Sequence, residues 1–283
     1  MELFVSFLVK KYILLSLIGL SFAPLYASSV HDWHIATLQE EENKIKAKFL
    51  KISGASEAEW QQALKQAAEQ YDQKEVGYRA QLGAHPQPSD AIKNCAQSLL
   101  MEQGGDPAKL QIMSNSPGAG PVTYKSIIAI SQDFLAKFNA TQDETEGVLM
   151  HEIIHYIKQD EVCWLACKIM YDAKSWFIQI RLNPILHVWQ LFREKRADIL
   201  AGLSKPSRAQ ALANFYKKLL NSESYYPKDA HHPPMRKRID YMLALYESMQ
   251  SDRVTEPSVI TKAISTFRHV MDRLAVEYSE AIA

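Results

Sequence analysis

The chain has 283 residues, 47% of them apolar and 23% charged, with 32 basic residues balancing 32 acidic ones. That length supports one large or two small domains with a buried core. A formal net charge of zero excludes a general electrostatic affinity for nucleic acid or anionic membranes.

The first expected element is a leader. Lys10-Lys11 precedes the apolar run YILLSLIGLSFA and then PLYASS. These read as a positive n-region, an h-region of secretory length and a small-residue cleavage site after Ala27. The run is too short to span a bilayer comfortably. Residues 1–27 are therefore expected to be a signal peptide on an exported protein. The apolar MELFVSFLV before the lysines supports the alternative of an uncleaved anchor. In an exported chain Cys95 could bridge to Cys163 or Cys167, leaving an odd thiol. The spacing of Cys163 and Cys167 is not that of a zinc knuckle, and both sit in an apolar helical stretch, so they read as buried structural cysteines.

Residues 28–84 read as a helical region. Within it SEAEWQQALKQAAEQY opens on a capping box, Ser56 with Glu59. AHPQPSD breaks the pattern at Pro86 and Pro88. KLQIMSN and VTYKSIIAIS are the two strand runs, joined by the turn-rich SPGAGP. Beyond them the chain is helical, punctuated by Pro184, Pro206, Pro227, Pro233-Pro234 and Pro257. The expected fold is α+β and mostly helical. A small β-sheet stands before the central helix of a domain over 85–250, and a C-terminal helix follows over 251–283. The apolar segment CWLACKIMYDAKSWFIQIRLNPILHVWQLF is interrupted by Lys168, Asp172, Lys174, Arg181 and Pro184. It reads as core helices with no firm membrane span, the alternative being a membrane-facing patch.

The central helix carries chemistry. Thr141 and Glu144 form a second capping box, and EGVLMHEIIHYI has the apolar spacing of a buried helix. His151 and His155 are four apart, on one helical face, so both imidazoles can reach one metal ion. Glu152 stands beside them, placed to take a proton from a metal-activated water. A third ligand is needed. Lys158 and Glu161 stand where the metzincin continuation requires Gly and His, which excludes that class. Asp160 and Glu161 lie too near the end of the same helix to fold back easily, and Asp172 and His187 have no supporting pattern. In LFREKRADILAG, Glu194 and Asp198 are again four apart: one carboxylate can ligate while the other orients a ligand from behind.

HEIIH, the later E-x-x-x-D and then HHPPMRKRI resemble the zinc metallopeptidases grouped around the heat-shock protease HtpX and the CAAX prenyl protease. The layout over residues 85 to 245 is most similar to soluble periplasmic members such as the beta-barrel assembly-enhancing protease. The resemblance implies a zincin-like core and one zinc ion per chain, held by His151, His155 and Glu194. Glu152 would be the base, and Asp198 would stand behind a ligand. The His-Pro pair at His232-Pro233 and the Arg-Ile pair at Arg238-Ile239 match the family's late motif, which puts His232 near the metal and Arg238 in the cleft. The chain departs from the family at Arg196, where a second glutamate is usual. Its Asn-Ala-rich edge strand is blurred into NSPGAGPVTYKSIIAIS.

The function expected from this is a zinc endopeptidase of the cell envelope, periplasmic and engaged in protein quality control. Its partners would be protein or peptide substrates, with contact to the membrane or to outer-membrane proteins. Extended substrate would add to the sheet edge at residues 122 to 131. The rival expectation is a zinc-bound assembly factor or chaperone that seldom cleaves; an intact Glu152 favours the enzyme. His232 is expected either to fill the open metal position or to donate to the tetrahedral intermediate, with His231 as bystander.

Overall fold

Apolar stripes on successive helices leave few ways to bury them, and here they enclose one small sheet. A computed structural model describes residues 30–222 and 232–251. The expected leader, cleavage site, His231 and C-terminal helix lie outside the described residues.

Helix α1 (Val30–Ser53) ends at Gly54, whose φ of 66° suits a residue without Cβ; the Ala55 N–H closes back onto the Leu50 carbonyl. Helix α2 (Glu57–Gly83) starts on the expected capping box, with Ser56 and Glu59 each satisfying the other's backbone N–H. Helix α3 (Asp90–Glu102) begins at Ser89, whose side chain accepts from the Ile92 N–H.

Three short strands follow: β1 (Gln111–Met113), β2 (Val122–Tyr124) and β3 (Ile127–Ala129), in the order β1-β3-β2. β1 runs parallel to β3, and β2 runs antiparallel to it with Thr123 opposite Ile128. VTYKSIIAIS is thus two strands, because the polar Lys125-Ser126 pair makes a two-residue turn with Lys125 at φ 33°. This narrows the expected edge over 122 to 131: β3 is the fully buried centre, and only β2 is at an edge.

The short α4 (Gln132–Lys137) leads to α5 (Gln142–Lys158), which opens on the second capping box at Thr141 and Glu144. α5 is the axis of the fold. Val148, Leu149, Met150, Ile153 and Ile154 are all buried, and α5 packs against α3, β2 and the later helices that carry Glu194 and Tyr216. Helix α6 (Asp160–Asp172) follows after one left-handed residue, Gln159 at φ 52°.

Helix α7 (Trp176–Leu203) runs through Pro184, which sequence reading took as a break. The proline forfeits only the hydrogen bond to the carbonyl of Ile180, an exposed residue, while Leu182, Ile185, Leu186 and Trp189 bury the flanking turns. Helix α8 (Pro206–Leu220) has its proline in the first turn, where no amide is needed. Pro233-Pro234 leads into α9 (Met235–Ser251).

The main core joins α3, the sheet, α5, α8, α9 and the C-terminal half of α7, with Trp33 and Leu38 of α1. A second core joins Phe49 of α1, Trp60 of α2, Cys167 of α6 and Trp189 of α7. The apolar segment after the HEIIH helix thus contributes to the core from both of its helices, while Trp176, Phe177 and Ile180 at the start of α7 are exposed. No helix of the described residues is long and apolar enough to cross a membrane. All three cysteines are free thiols. Burial raises the Cys163 thiol to about 11 and the Cys167 thiol further.

Candidate metal centre

α5 presents His151 and His155 one turn apart on the face turned to α7, and α7 answers with Glu194 and Asp198, also one turn apart. The two Nε2 atoms face one another at 3.0 Å. Glu194 brings Oε2 to 3.4 Å from His151 Nε2 and Oε1 to 3.4 Å from His155 Nε2. The ligand atoms of these three residues all lie within 4.8 Å of one another, a grouping that could hold a metal ion. Asp172 is exposed and paired to Lys168, and His187 is exposed, so neither joins the group.

Each imidazole is held from behind. His151 Nδ1 lies 2.8 Å from Asp198 Oδ1, and His155 Nδ1 lies 2.7 Å from Asp160 Oδ2. The Asp160 bond keeps the His155 ring proton on Nδ1 and leaves its Nε2 a bare lone pair; Asp198 is as near to His151 Nδ1 without a well-formed hydrogen bond, and its charge favours the same tautomer there. Two such lone pairs and a carboxylate then converge with no hydrogen between them, and Glu194 Oε2 accepts no well-formed hydrogen bond. The residues therefore fit a bound cation. Without one, a proton must serve. Burial disfavours imidazolium, yet Glu194 and Asp160 raise His155 well above its usual range. Burial likewise opposes the Glu194 carboxylate, yet His155 and His151 hold it well below the usual range.

Asp198 is the hub of the far wall and is fully buried. Arg238 on α9 grips it bidentately, Nε to Oδ2 at 2.8 Å and an Nη to Oδ1 at 2.7 Å. Tyr216 of α8 and Tyr241 of α9 also donate to it. Burial would raise the Asp198 carboxyl, but Arg238 and His151 hold it well below the carboxylate range. Arg238 therefore lies behind the metal site as well as in the pocket wall, stacked 4.2 Å over the Tyr216 ring.

Sequence reasoning missed the group behind His155. It set Asp160 aside as a ligand because it lies too near the end of the HEIIH helix to fold back easily. The left-handed Gln159 ends α5 and turns Asp160 back onto His155. Asp160 in turn bonds Arg196, whose other nitrogen lies 2.5 Å from Glu42 on α1. The departure at Arg196 thus has a local reason: an arginine there balances a buried aspartate. Lys195 is paired to Glu41 in the same way. Non-glycine left-handed residues leave little trace in a sequence.

Glu152 is buried, and the Thr123 hydroxyl of β2 lies 2.7 Å from its Oε2 and 3.0 Å from its backbone carbonyl. His232, in the segment before α9, brings Nε2 to 3.3 Å from Glu194 Oε2 with its side chain 42% exposed. A pocket of about 350 Å³ opens beside these groups, bounded by His151, Glu152 and His232 on one side and by Phe134, Phe138 and Phe215 on the other. Comparison with models of known protein families, with curated proteins and with solved structures finds no match to the chain.

Proposed function

We propose that the chain is a zinc-dependent endopeptidase with a zincin-like core, of the HtpX and CAAX prenyl protease type. His151, His155 and Glu194 would hold one zinc ion. The observation that carries this reading is the convergence of two bare imidazole nitrogens and one carboxylate beside a glutamate of the same helix. Two His and one Glu, with a position left open, is a donor set of hydrolytic zinc. A zinc ion held there would supply Lewis-acid chemistry, polarising a substrate carbonyl and making water acidic enough to lose a proton near neutral pH. Glu152 takes that proton on its carboxylate and hands it to the departing amine. Thr123 occupies Glu152 Oε2, so Oε1 is the oxygen left for proton transfer. Asp160 and Asp198 keep each ring proton on Nδ1 and each ring in place.

β2 is at an edge of the sheet and carries Thr123, so an extended peptide added along β2 would lie beside the base. Export to the periplasm and action on envelope proteins belong to the same reading and rest on the N-terminal pattern.

The test is metal content and peptide hydrolysis of the purified chain. One zinc per chain is expected, lost in Glu194→Ala. Glu152→Gln should keep the metal and lose at least about 100-fold in turnover. Undiminished zinc in Glu194→Ala, or hydrolysis near wild type in Glu152→Gln, overturns the reading. A chaperone or assembly factor would bind peptide equally well with Gln at 152 and show no cleavage to lose.

A further inference from the structure

Three aromatic rings beside the candidate base have no role in holding metal or moving protons. Phe134 and Phe138 of α4's end stand edge-to-face at 5.0 Å, and each meets Phe215 of α8 at 6.1 Å. With Val148 and Leu219 they form an apolar part of the pocket whose polar part is His151, Glu152, His232 and Arg238. Gly120 and Pro121, directly before the edge strand β2, rim the same pocket. A strand laid along β2 therefore passes the pocket mouth as it passes Glu152.

We infer that this pocket receives the side chain of a substrate residue flanking the scissile bond, and that it selects large apolar residues: Phe, Leu, Met or Tyr. The inference rests on the endopeptidase reading and adds its substrate class. An apolar side chain gains by leaving water for a wall of phenyl rings, and the rings add edge-to-face contact with an aromatic one. A charged side chain would lose its hydration there, because the polar groups that line the pocket have partners behind its wall: Thr123 at Glu152, Glu194 at His232 and Asp198 at Arg238.

Gly120 gives a way to close the pocket without disturbing the centre. A Cβ built there lies 3.9 Å from the Phe134 ring, an ordinary contact. The residue before a proline is held to extended backbone, which valine adopts readily. Valine at 120 would set its methyl groups over Phe134, inside the pocket.

Two measurements on the zinc-loaded full chain decide the matter. Mass-spectrometric profiling of a peptide library should show Phe, Leu, Met or Tyr enriched at one of the two positions flanking the cut, with Gly120→Val redirecting cleavage to Ala and Val. Fluorescence anisotropy with zinc-loaded Glu152→Gln should show a peptide with one central Phe binding roughly tenfold tighter than its Ala counterpart, a gap that Gly120→Val on the Glu152→Gln background closes. Cleavage without preference, or a preference and a binding gap unmoved by Gly120→Val, overturns the pocket assignment and leaves the endopeptidase standing. No cleavage of any peptide by the wild-type chain overturns the endopeptidase reading, and the substrate class falls with it.

Discussion

Asp160 Oδ2 lies 2.7 Å from His155 Nδ1, although the two residues belong to different helices separated by a single left-handed residue. Asp160 is 0% exposed, bonds Arg196 and accepts from Arg193 through its backbone carbonyl at 2.8 Å. Burial alone would raise its carboxyl, but the His155 bond and Arg196 hold it below the usual carboxylate range. His155 is thus backed by a well-formed hydrogen bond from the chain's own next residue but four, where His151 has a carboxylate at 2.8 Å without one.

Replacing Asp160 by Asn removes the charge and keeps the shape. The metal should then bind about 10- to 100-fold more weakly, the usual cost of losing a partner behind a ligating histidine. Arg196 keeps only Glu42, so the metal-free fold should also lose about 3 kcal/mol, as when one partner of a buried ion pair goes. Chelator competition measures the first effect and urea denaturation of the metal-free protein the second. Unaltered metal affinity would remove Asp160 from the site.

Thr123→Val isolates the positioning of the base. Valine has the shape of threonine without the hydroxyl that meets Glu152 Oε2 at 2.7 Å. Metal content should stay at one per chain. Turnover should fall roughly tenfold, less than the loss of about 100-fold or more expected for Glu152→Gln, because the carboxylate remains but is no longer held. The lost rate should appear in kcat and not KM. Wild-type kcat in Thr123→Val would mean that the packing of α5 against β2 suffices to aim Glu152.

The legible part of this molecule was whatever periodicity or spacing writes into a chain. The capping boxes at Ser56 and Thr141 gave two helix starts to the residue, and HEIIH with E-x-x-x-D named four of the residues that the fold brings together. What stayed hidden depends on side chains meeting across distant elements. Glu42 and Arg196 are far apart in sequence, as are Thr123 and Glu152, and nothing local marks either pair. Tyr216 and Tyr241 belong to no motif, yet both donate to one buried carboxylate. Pro184 misled for the opposite reason. Its local rule is strong, but packing on both sides of it overrides one missing hydrogen bond.

Acid sensitivity should run through His34. This residue is 2% exposed, and burial, aided by His31, lowers its pKa from 6.5 to about 3. A histidine whose folded pKa is depressed binds its proton more readily in the unfolded chain. Its contribution to stability is therefore undiminished above pH 6.5 and declines as the pH falls from 6.5 toward 3. Between pH 6.5 and 4.5 the wild type should lose about 2–3 kcal/mol more than His34→Leu, which has no proton to bind there. Other acid-titrating groups are common to both proteins and drop out of the difference. Urea denaturation at the two pH values measures it, and parallel losses would place the acid-sensitive group elsewhere.

His232 is the remaining choice between two signs. Its Nε2 reaches Glu194 Oε2 at 3.3 Å, so it stands at the centre, as the late motif implied. It does not, however, join the three residues whose ligand atoms cluster within 4.8 Å, and its side chain keeps 42% of its surface open on the pocket side. A residue that plugged the open metal position would converge on the same point as the two Nε2 atoms. One that meets the substrate stands off to the side, lining the pocket, and would donate to the carbonyl oxygen as that oxygen gains charge. The second description fits. His232→Ala should retain the metal and lower kcat by about 10- to 100-fold, at or somewhat below the usual loss on removing one oxyanion donor, because the partly exposed ring is screened by water. KM should change little, since the interaction strengthens only as charge develops. A rise in basal hydrolysis on the same substitution would instead identify His232 as the group that occupies the metal's open position.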